Sequence, residues 1–215
     1  MEEKTIEIMM RLIVLFTAFP VHESAHAWSA YRMGDPTAKN LGRLTLNPIS
    51  HLDPFGTICM LFAGFGWAKP VPINPRNFDN PKVGMAISSF WGPLSNLIMA
   101  TAAMMIYKFM LFTVGISSGY VQIAFYFLVT INVGLAIFNL IPIPPLDGSR
   151  IITLFLPEEK YFKIMRYENY IFIGLIVIVM LGVLDTPLYY MNKVTLNFIN
   201  FITGFIDLIF TGKWA

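Results

Sequence analysis

The sequence carries little charge: only 13% of its 215 residues are Asp, Glu, Lys or Arg, whereas 56% are hydrophobic. Soluble domains contain about 25% charged residues, so this deficit indicates a chain whose solvent is lipid. The single cysteine, Cys59, excludes an intrachain disulfide and a cluster of thiolate ligands. A net charge of only +2, without a run of Lys and Arg, argues against nucleic acid as a partner.

Long apolar stretches are present instead. A membrane-spanning helix needs about 20 largely apolar residues, and the sequence predicts four such spans at residues 12–31, 83–107, 120–140 and 169–184. The tail 194–211 has a polar stripe on one face, which predicts an amphipathic helix that lies at the interface or packs the stripe inward. The predicted fold is an all-α polytopic membrane protein.

The connection between the first two spans differs in composition. Residues 34–82 are rich in Gly, Pro and Asn. Residues 41–46 alternate like a half-buried strand, and residues 64–73 contain two prolines that fit only an edge strand or an irregular ribbon. The sequence therefore predicts a small β-ribbon region on the cytoplasmic side.

Basic residues are distributed unequally. Ten of the fifteen Lys and Arg residues lie at or between the first two spans or after the third. Four spans place both connections on one side of the membrane, which the positive-inside rule assigns to the cytoplasm. We therefore expect a multi-pass cell-membrane protein whose N-terminus faces outward.

Residues 22–26 read His-Glu-Ser-Ala-His, the HExxH pattern. Residues four apart share a helix face, so His22 and His26 can bind one metal ion, while Glu23 is placed to deprotonate the attacking water. Two histidines and a glutamate are costly in an apolar span, and such residues are functional by default. The competing explanation is a polar cluster that only holds helices together.

Catalytic zinc usually takes three protein ligands and leaves one position open. The side chains in or beside the membrane that could supply the third are His51, Asp53, Asp147, Glu168 and Asp185. Asp147 is the best placed, because three prolines just before it break the third span at a depth similar to that of the histidines. His51 fits better as a loop residue that bonds local backbone.

These motifs together resemble a known family. His-Glu-Ser-Ala-His in a first membrane helix, Asn-Leu-Ile-Pro-Ile-Pro-Pro-Leu-Asp-Gly at 139–148 and Gly-Pro-Leu-Ser-Asn at 92–96 are similar to the site-2 protease family of intramembrane zinc metalloproteases. The segments 42–48 and 65–78 also resemble its compact prokaryotic branch. The resemblance covers roughly residues 12–157, the catalytic core of a single domain 1–215 that ends in C-terminal helices 158–215. No PDZ-like insertion is present, so the substrates of relatives that carry one are not transferred.

The resemblance implies one zinc per chain, held by His22, His26 and Asp147 with Glu23 as base. It also implies that Asn139 donates a hydrogen bond to substrate or to the developing oxyanion, although an asparagine is also natural where a helix stops. Gly92 and Asn96 are interpreted as close-packing residues, and Pro20 is predicted to kink the first span.

The expected substrates are transmembrane proteins in the lipid bilayer. Residues 62–73 are expected to form a ribbon beside the zinc against which an unwound substrate pairs as an added strand. The predicted contacts are Gly64, Phe65, Gly66 and Trp67. The alternatives are a divalent-metal transporter and a catalytically silent binder of membrane proteins, for which the Pro-rich Leu-Asp-Gly motif has no evident purpose.

Overall fold

The computed structural model describes residues 2–63, 66–115 and 118–214. These residues form ten α-helices, joined by turns and short 3-10 segments. The helices are α1 (Glu2–Ile13), α2 (Phe19–Arg32), α3 (Thr37–Asn40), α4 (Pro54–Ala63), α5 (Pro81–Val114), α6 (Gly119–Asn139), α7 (Asp147–Ile152), α8 (Glu158–Met165), α9 (Glu168–Met180) and α10 (Asp185–Thr211).

Four of these helical stretches are long and apolar enough to cross a membrane. They are Ile8–Arg32, Pro81–Val114, Gly119–Asn139 and Asp185–Thr211. The all-helical polytopic class is therefore confirmed, and the first three spans agree with those predicted from the sequence.

The first span contains a π-helical stretch, Val14–Ala18, between α1 and α2. Pro20 follows at the start of α2 and has no N–H to donate to the carbonyl four residues earlier, so the wider turn accommodates the missing bond. The helix thus becomes irregular immediately before His22, and the kink predicted at Pro20 stays a prediction.

The predicted fourth span at residues 169–184 is wrong. The C-terminal half of α10 packs on the far end of α5, where Phe210 stacks on Phe112 with ring centroids 5.3 Å apart. Towards its other end, α10 brings Asn192 beside Gly134 in the second half of α6. Helix α10 therefore runs parallel to α5 and begins on the side where α6 ends.

Residues 140–184 consequently leave and re-enter the membrane on the same side. Helix α9 has 13 residues, about 20 Å at 1.5 Å per residue, which is shorter than a hydrocarbon core of about 30 Å. The fourth candidate span is α10, which extends the predicted amphipathic tail by nine residues at its N-terminal end.

The middle of the polar stripe of α10 packs inward, which is one of the two arrangements left open by the sequence. Thr203 and Asp207 are buried, and the Asp207 carboxylate pairs with the buried Lys108 ammonium of α5. Small and branched side chains of α5, α6 and α10 form an apolar core between the same helices. Its buried members are Ala100, Ala103, Val129, Val133, Ile137 and Ile199.

The predicted β-ribbon is also wrong for the described residues, in which the only bridge outside helices joins Leu52 and Ala68. Residues 41–46 form turns and bends. The Arg43 guanidinium donates to the carbonyls of Lys69 and Pro70, so a side chain occupies acceptors that a second strand would need. Pro70 and Pro72 also lack an N–H, which limits pairing from the same segment.

Candidate metal centre

Three potential metal-ligating atoms converge between α2 and the start of α7. His22 Nε2 lies 3.0 Å from His26 Nε2, and the Asp147 carboxylate oxygen Oδ2 lies 3.1 Å from the first and 3.2 Å from the second. All three residues belong to the group of described side chains that could hold one ion. The structure thus brings together the three ligands predicted from the sequence.

The outer ring nitrogens of the histidines show which atoms face the cluster. His26 Nδ1 lies 2.7 Å from the Ser88 carbonyl oxygen, which can only accept, so Nδ1 carries the proton. His22 Nδ1 lies 2.7 Å from Asn96 Oδ1 and donates to it in the same way. In the neutral imidazoles, both Nε2 atoms therefore present lone pairs to each other and to a carboxylate oxygen.

Three lone-pair atoms within about 3 Å of one another repel unless a cation lies among them. Atoms held about 2.0–2.1 Å from one tetrahedral zinc ion are separated by about 3.3 Å, close to the observed separations of 3.0–3.2 Å. Two imidazole nitrogens and one carboxylate oxygen are also typical donors of a catalytic zinc site. The residues present therefore fit a zinc ion.

Gly92 provides the space for both imidazoles. A Cβ atom at this position would overlap Cε1 and Nε2 of His26 and would lie 2.8 Å from Cε1 of His22. The sequence predicts close packing at Gly92, and the groups that pack against this glycine are the imidazole rings of His22 and His26.

The turn that carries Asp147 packs tightly on the end of α6. A Cβ atom on Gly148 would overlap the carbonyl oxygen of Leu140 and lie 2.6 Å from that of Ile141. The glycine after Asp147 therefore lets α7 begin directly against α6, which holds the carboxylate beside α2. In the sequence, Gly148 is only the last residue of the 139–148 motif, and nothing there indicates this contact.

Glu23 lies on α2 beside the cluster and is 9% exposed. Its carboxylate oxygen Oε2 accepts a hydrogen bond of 2.9 Å from the backbone N–H of Val71. This bond holds the segment that follows Trp67 against the HExxH helix and fixes the orientation of the carboxylate.

A second carboxylate holds the same connection in place. The fully buried Asp35, just beyond α2, accepts hydrogen bonds from the Asn74 backbone N–H, from the Asn77 amide and from Thr37. Burial alone would raise the pKa of Asp35, but these hydrogen bonds outweigh it and lower the pKa below its usual value.

The other predicted site residues lie apart from the cluster or serve local structure. Asn139 is the last residue of α6, and its amide donates to the Leu135 carbonyl oxygen at 2.9 Å. His51 is fully buried, and its Nε2 lies 2.7 Å from the Thr45 carbonyl oxygen, the local bonding expected of a loop residue. Asp53 accepts from the Gly56 N–H at the start of α4.

Two of the four predicted substrate contacts, Gly64 and Phe65, lie outside the described residues. Gly66 packs on α4, where a Cβ would lie 2.7 Å from Met60 Cβ. Trp67 is 39% exposed. Gly66 and Trp67 lie four to five residues before Val71, whose backbone N–H donates to Glu23.

The described part of the chain has four candidate membrane spans. The two histidines of its HExxH motif form a cluster with one aspartate. Together these features define the class of membrane-embedded metallopeptidases. The family model described as "Peptidase family M50" matches residues 113–182. The chain is 45% identical over 172 residues to a protein named as the zinc metalloprotease YwhC of Bacillus subtilis (strain 168), with 78% of each chain covered.

A second relative, named as the zinc metalloprotease Rip2 of Mycolicibacterium smegmatis, is 29% identical over 139 residues. That match covers 60% of this chain and 50% of the relative. No solved structure matches. The chain belongs to peptidase family M50, the site-2 protease family, which confirms the resemblance found in its motifs.

Proposed function

We propose that this chain is an intramembrane zinc metalloprotease that hydrolyses peptide bonds in or near the transmembrane segments of membrane proteins. The observation that carries this proposal is the convergence of the lone-pair atoms of His22, His26 and Asp147 within 3.0–3.2 Å of one another. Membership of family M50 and relatives named as zinc metalloproteases support the same reaction.

His22, His26 and Asp147 are the residues that would hold the zinc ion. Bound zinc supplies Lewis-acid polarisation of a carbonyl and acidifies water. The imidazole protons on Nδ1 are committed to Asn96 and Ser88, so the histidines would bind zinc as neutral ligands and the aspartate would contribute the single negative charge.

Glu23 is proposed as the general base. Its neighbour His22 faces His26 and Asp147. Glu23 lies about 100° further round the helix and would stay free of metal coordination. The Val71 N–H keeps one carboxylate oxygen fixed, so the carboxylate can take a proton from water and return it to the leaving amine without reorienting.

Asn139 is proposed to help stabilise the oxyanion or to bind substrate. One hydrogen of its amide bonds the Leu135 carbonyl oxygen, and the second hydrogen can donate elsewhere. Its position at the end of α6, eight residues before Asp147, puts it on the same break in the helix as the third ligand.

We place substrate capture at the segment containing Gly66 and Trp67, because this segment continues to the Val71 N–H that bonds Glu23. A photocrosslinking residue at Trp67 is expected to trap a membrane-protein substrate, and one at Phe65 should do the same. The matched control is Trp214, which is 49% exposed near the end of α10. If Trp214 or probes on α9 capture substrate while Trp67 does not, the capture site lies elsewhere.

The active site is proposed to face the cytoplasm, because the connections on its side contain ten of the fifteen basic residues. A reporter fused near Arg76 should therefore read as cytoplasmic and one near Ser118 as external. With α10 as the fourth span, a reporter after Lys213 should also read as external. Cytoplasmic activity at Ser118 and Lys213 would reverse the orientation.

Co-expression with a panel of single-span membrane proteins tests the proposed reaction. The wild-type chain is expected to produce shortened fragments of at least one panel member, cut within or next to its span. Fragments that persist in cells depleted of zinc by a permeant chelator would contradict a zinc protease. Zinc flux into vesicles without any cleavage would favour the transporter alternative.

A further inference from the structure

Two buried side-chain amides connect the proposed ligand His22 on α2 to helix α6. Asn96 in α5 and Asn132 in α6 are both fully buried. Asn96 Oδ1 lies 2.7 Å from His22 Nδ1, and Asn96 Nδ2 donates to Asn132 Oδ1 at 2.8 Å. The path therefore runs from α2 through α5 to α6.

The final acceptor of the path, a backbone carbonyl oxygen, determines which group donates and which accepts in each hydrogen bond of the path. Asn132 Nδ2 donates to the Leu128 carbonyl oxygen at 2.8 Å, and a carbonyl oxygen can only accept. Asn132 must then turn its own oxygen towards Asn96, which in turn presents its oxygen to His22. The proton of His22 is thereby held on Nδ1, and Nε2 faces His26 Nε2 and Asp147 Oδ2, where it would bind a zinc ion.

Asn96 also joins the ligand to the irregular part of the first span. Its Nδ2 group contacts the Ala18 carbonyl oxygen at 3.3 Å, at the end of the π-helical stretch. Asn96 thus uses both amide hydrogens and its oxygen on three partners, and loss of the Asn132 side-chain oxygen leaves a buried donor of Asn96 unpaired.

We propose that Asn132 is a positioning residue for the zinc centre, acting on His22 through Asn96. This inference rests on the proposed zinc site. Asn96 and Asn132 are fully buried between helices, so no water is at hand to replace a missing partner of either amide. Loss of the Asn132 oxygen would therefore allow the Asn96 amide and the His22 ring to reorient. Loss of such an outer partner typically costs about 10–100-fold in metal affinity.

The test measures zinc affinity by chelator competition on the purified full chain. Asn132→Leu is expected to weaken zinc binding by about 10-fold or more. The matched control is Asn192→Leu, because Asn192 donates to Leu188, four residues earlier, as Asn132 does to Leu128, and lies on α10 away from the cluster. Asn192→Leu should bind zinc as tightly as the wild type.

A double-mutant cycle separates positioning from general packing. If Asn132 acts through Asn96, then Asn96→Leu/Asn132→Leu should bind zinc no more weakly than Asn96→Leu alone. The double variant leaves neither amide unpaired, so the comparison remains decisive if Asn132→Leu alone fails to fold.

Three results would overturn the proposal. They are wild-type affinity in a folded Asn132→Leu, additive losses in the double variant, and an equal loss in Asn192→Leu. Wild-type protein that binds no zinc would instead remove the proposed metal site, on which the positioning role depends.

Discussion

Glu23→Gln is expected to lower cleavage of a transmembrane substrate by about 10²–10⁴-fold, the usual contribution of a general base. The substitution removes the basic carboxylate and retains the size of the side chain. Its amide oxygen can still accept the Val71 N–H that Glu23 Oε2 accepts in the structure at 2.9 Å. The loop beside the site should therefore stay in place, and the zinc content should remain near that of the wild type.

The measurement compares fragment yield and zinc content in the same membranes. Glu168→Gln is the matched control, because Glu168 begins α9 and lies outside the group of side chains that could hold a metal. It should cleave as the wild type does. Cleavage by Glu23→Gln at the wild-type rate would exclude Glu23 as the base even if zinc were bound.

Gly92→Ala is expected to remove most of the zinc while leaving the helices intact. Alanine is a better helix former than glycine, so α5 itself should not suffer. The added methyl group, however, would overlap the His26 ring and lie 2.8 Å from His22 Cε1. The two imidazole rings cannot move away from the methyl group without breaking their hydrogen bonds to the Ser88 carbonyl and the Asn96 side chain. We therefore expect the Nε2 atoms of His22 and His26 to move apart.

Gly134→Ala provides the control, since Gly134 lies inside α6 and its added Cβ would meet only Asn192 Oδ1 at 3.8 Å, an ordinary contact. This variant should keep its zinc and its thermal stability. Zinc content is read by metal analysis of purified protein, with helicity from circular dichroism as the folding check. Full zinc occupancy in Gly92→Ala would mean that the ligands do not lie where the structure has them.

The chemistry-bearing side chains could be predicted because their signals are local. His22 and His26 share a face of one helix however the other helices pack against it. The prolines before Asp147 likewise end the third membrane helix independently of its neighbours. The outer partners could not be predicted, since Ser88 and Asn96 lie 62 and 74 residues from the histidines they contact. Only the docking of α5 on α2 brings them together.

The fourth span was misassigned because hydropathy measures composition and not where a helix begins and ends. Residues 169–184 are apolar but start and finish on one side of the membrane, whereas α10 contains Asp207, a charge that argues against a span. Its partner Lys108 on α5 satisfies that charge, and this pairing is invisible in either segment alone.

The β-ribbon failed for a related reason. The alternation at 41–46 is a real pattern, but it does not show that Arg43 bonds the carbonyls of Lys69 and Pro70 from its side chain. The sequence predicted a ribbon beside the zinc for residues 62–73 and did not indicate how residues 41–46 would join it. It could not indicate that a guanidinium and the Glu23 carboxylate would join them in place of a strand ladder.

The central claim is that His22, His26 and Asp147 hold one zinc ion inside the membrane. Its most direct test is the zinc-to-protein ratio of the purified chain and of four alanine variants. We expect about one zinc per wild-type chain, a sharp loss in His22→Ala, His26→Ala and Asp147→Ala, and no loss in His51→Ala, because His51 bonds the Thr45 carbonyl oxygen in the loop. A wild-type zinc content in Asp147→Ala, with zinc lost in His51→Ala, would contradict the account.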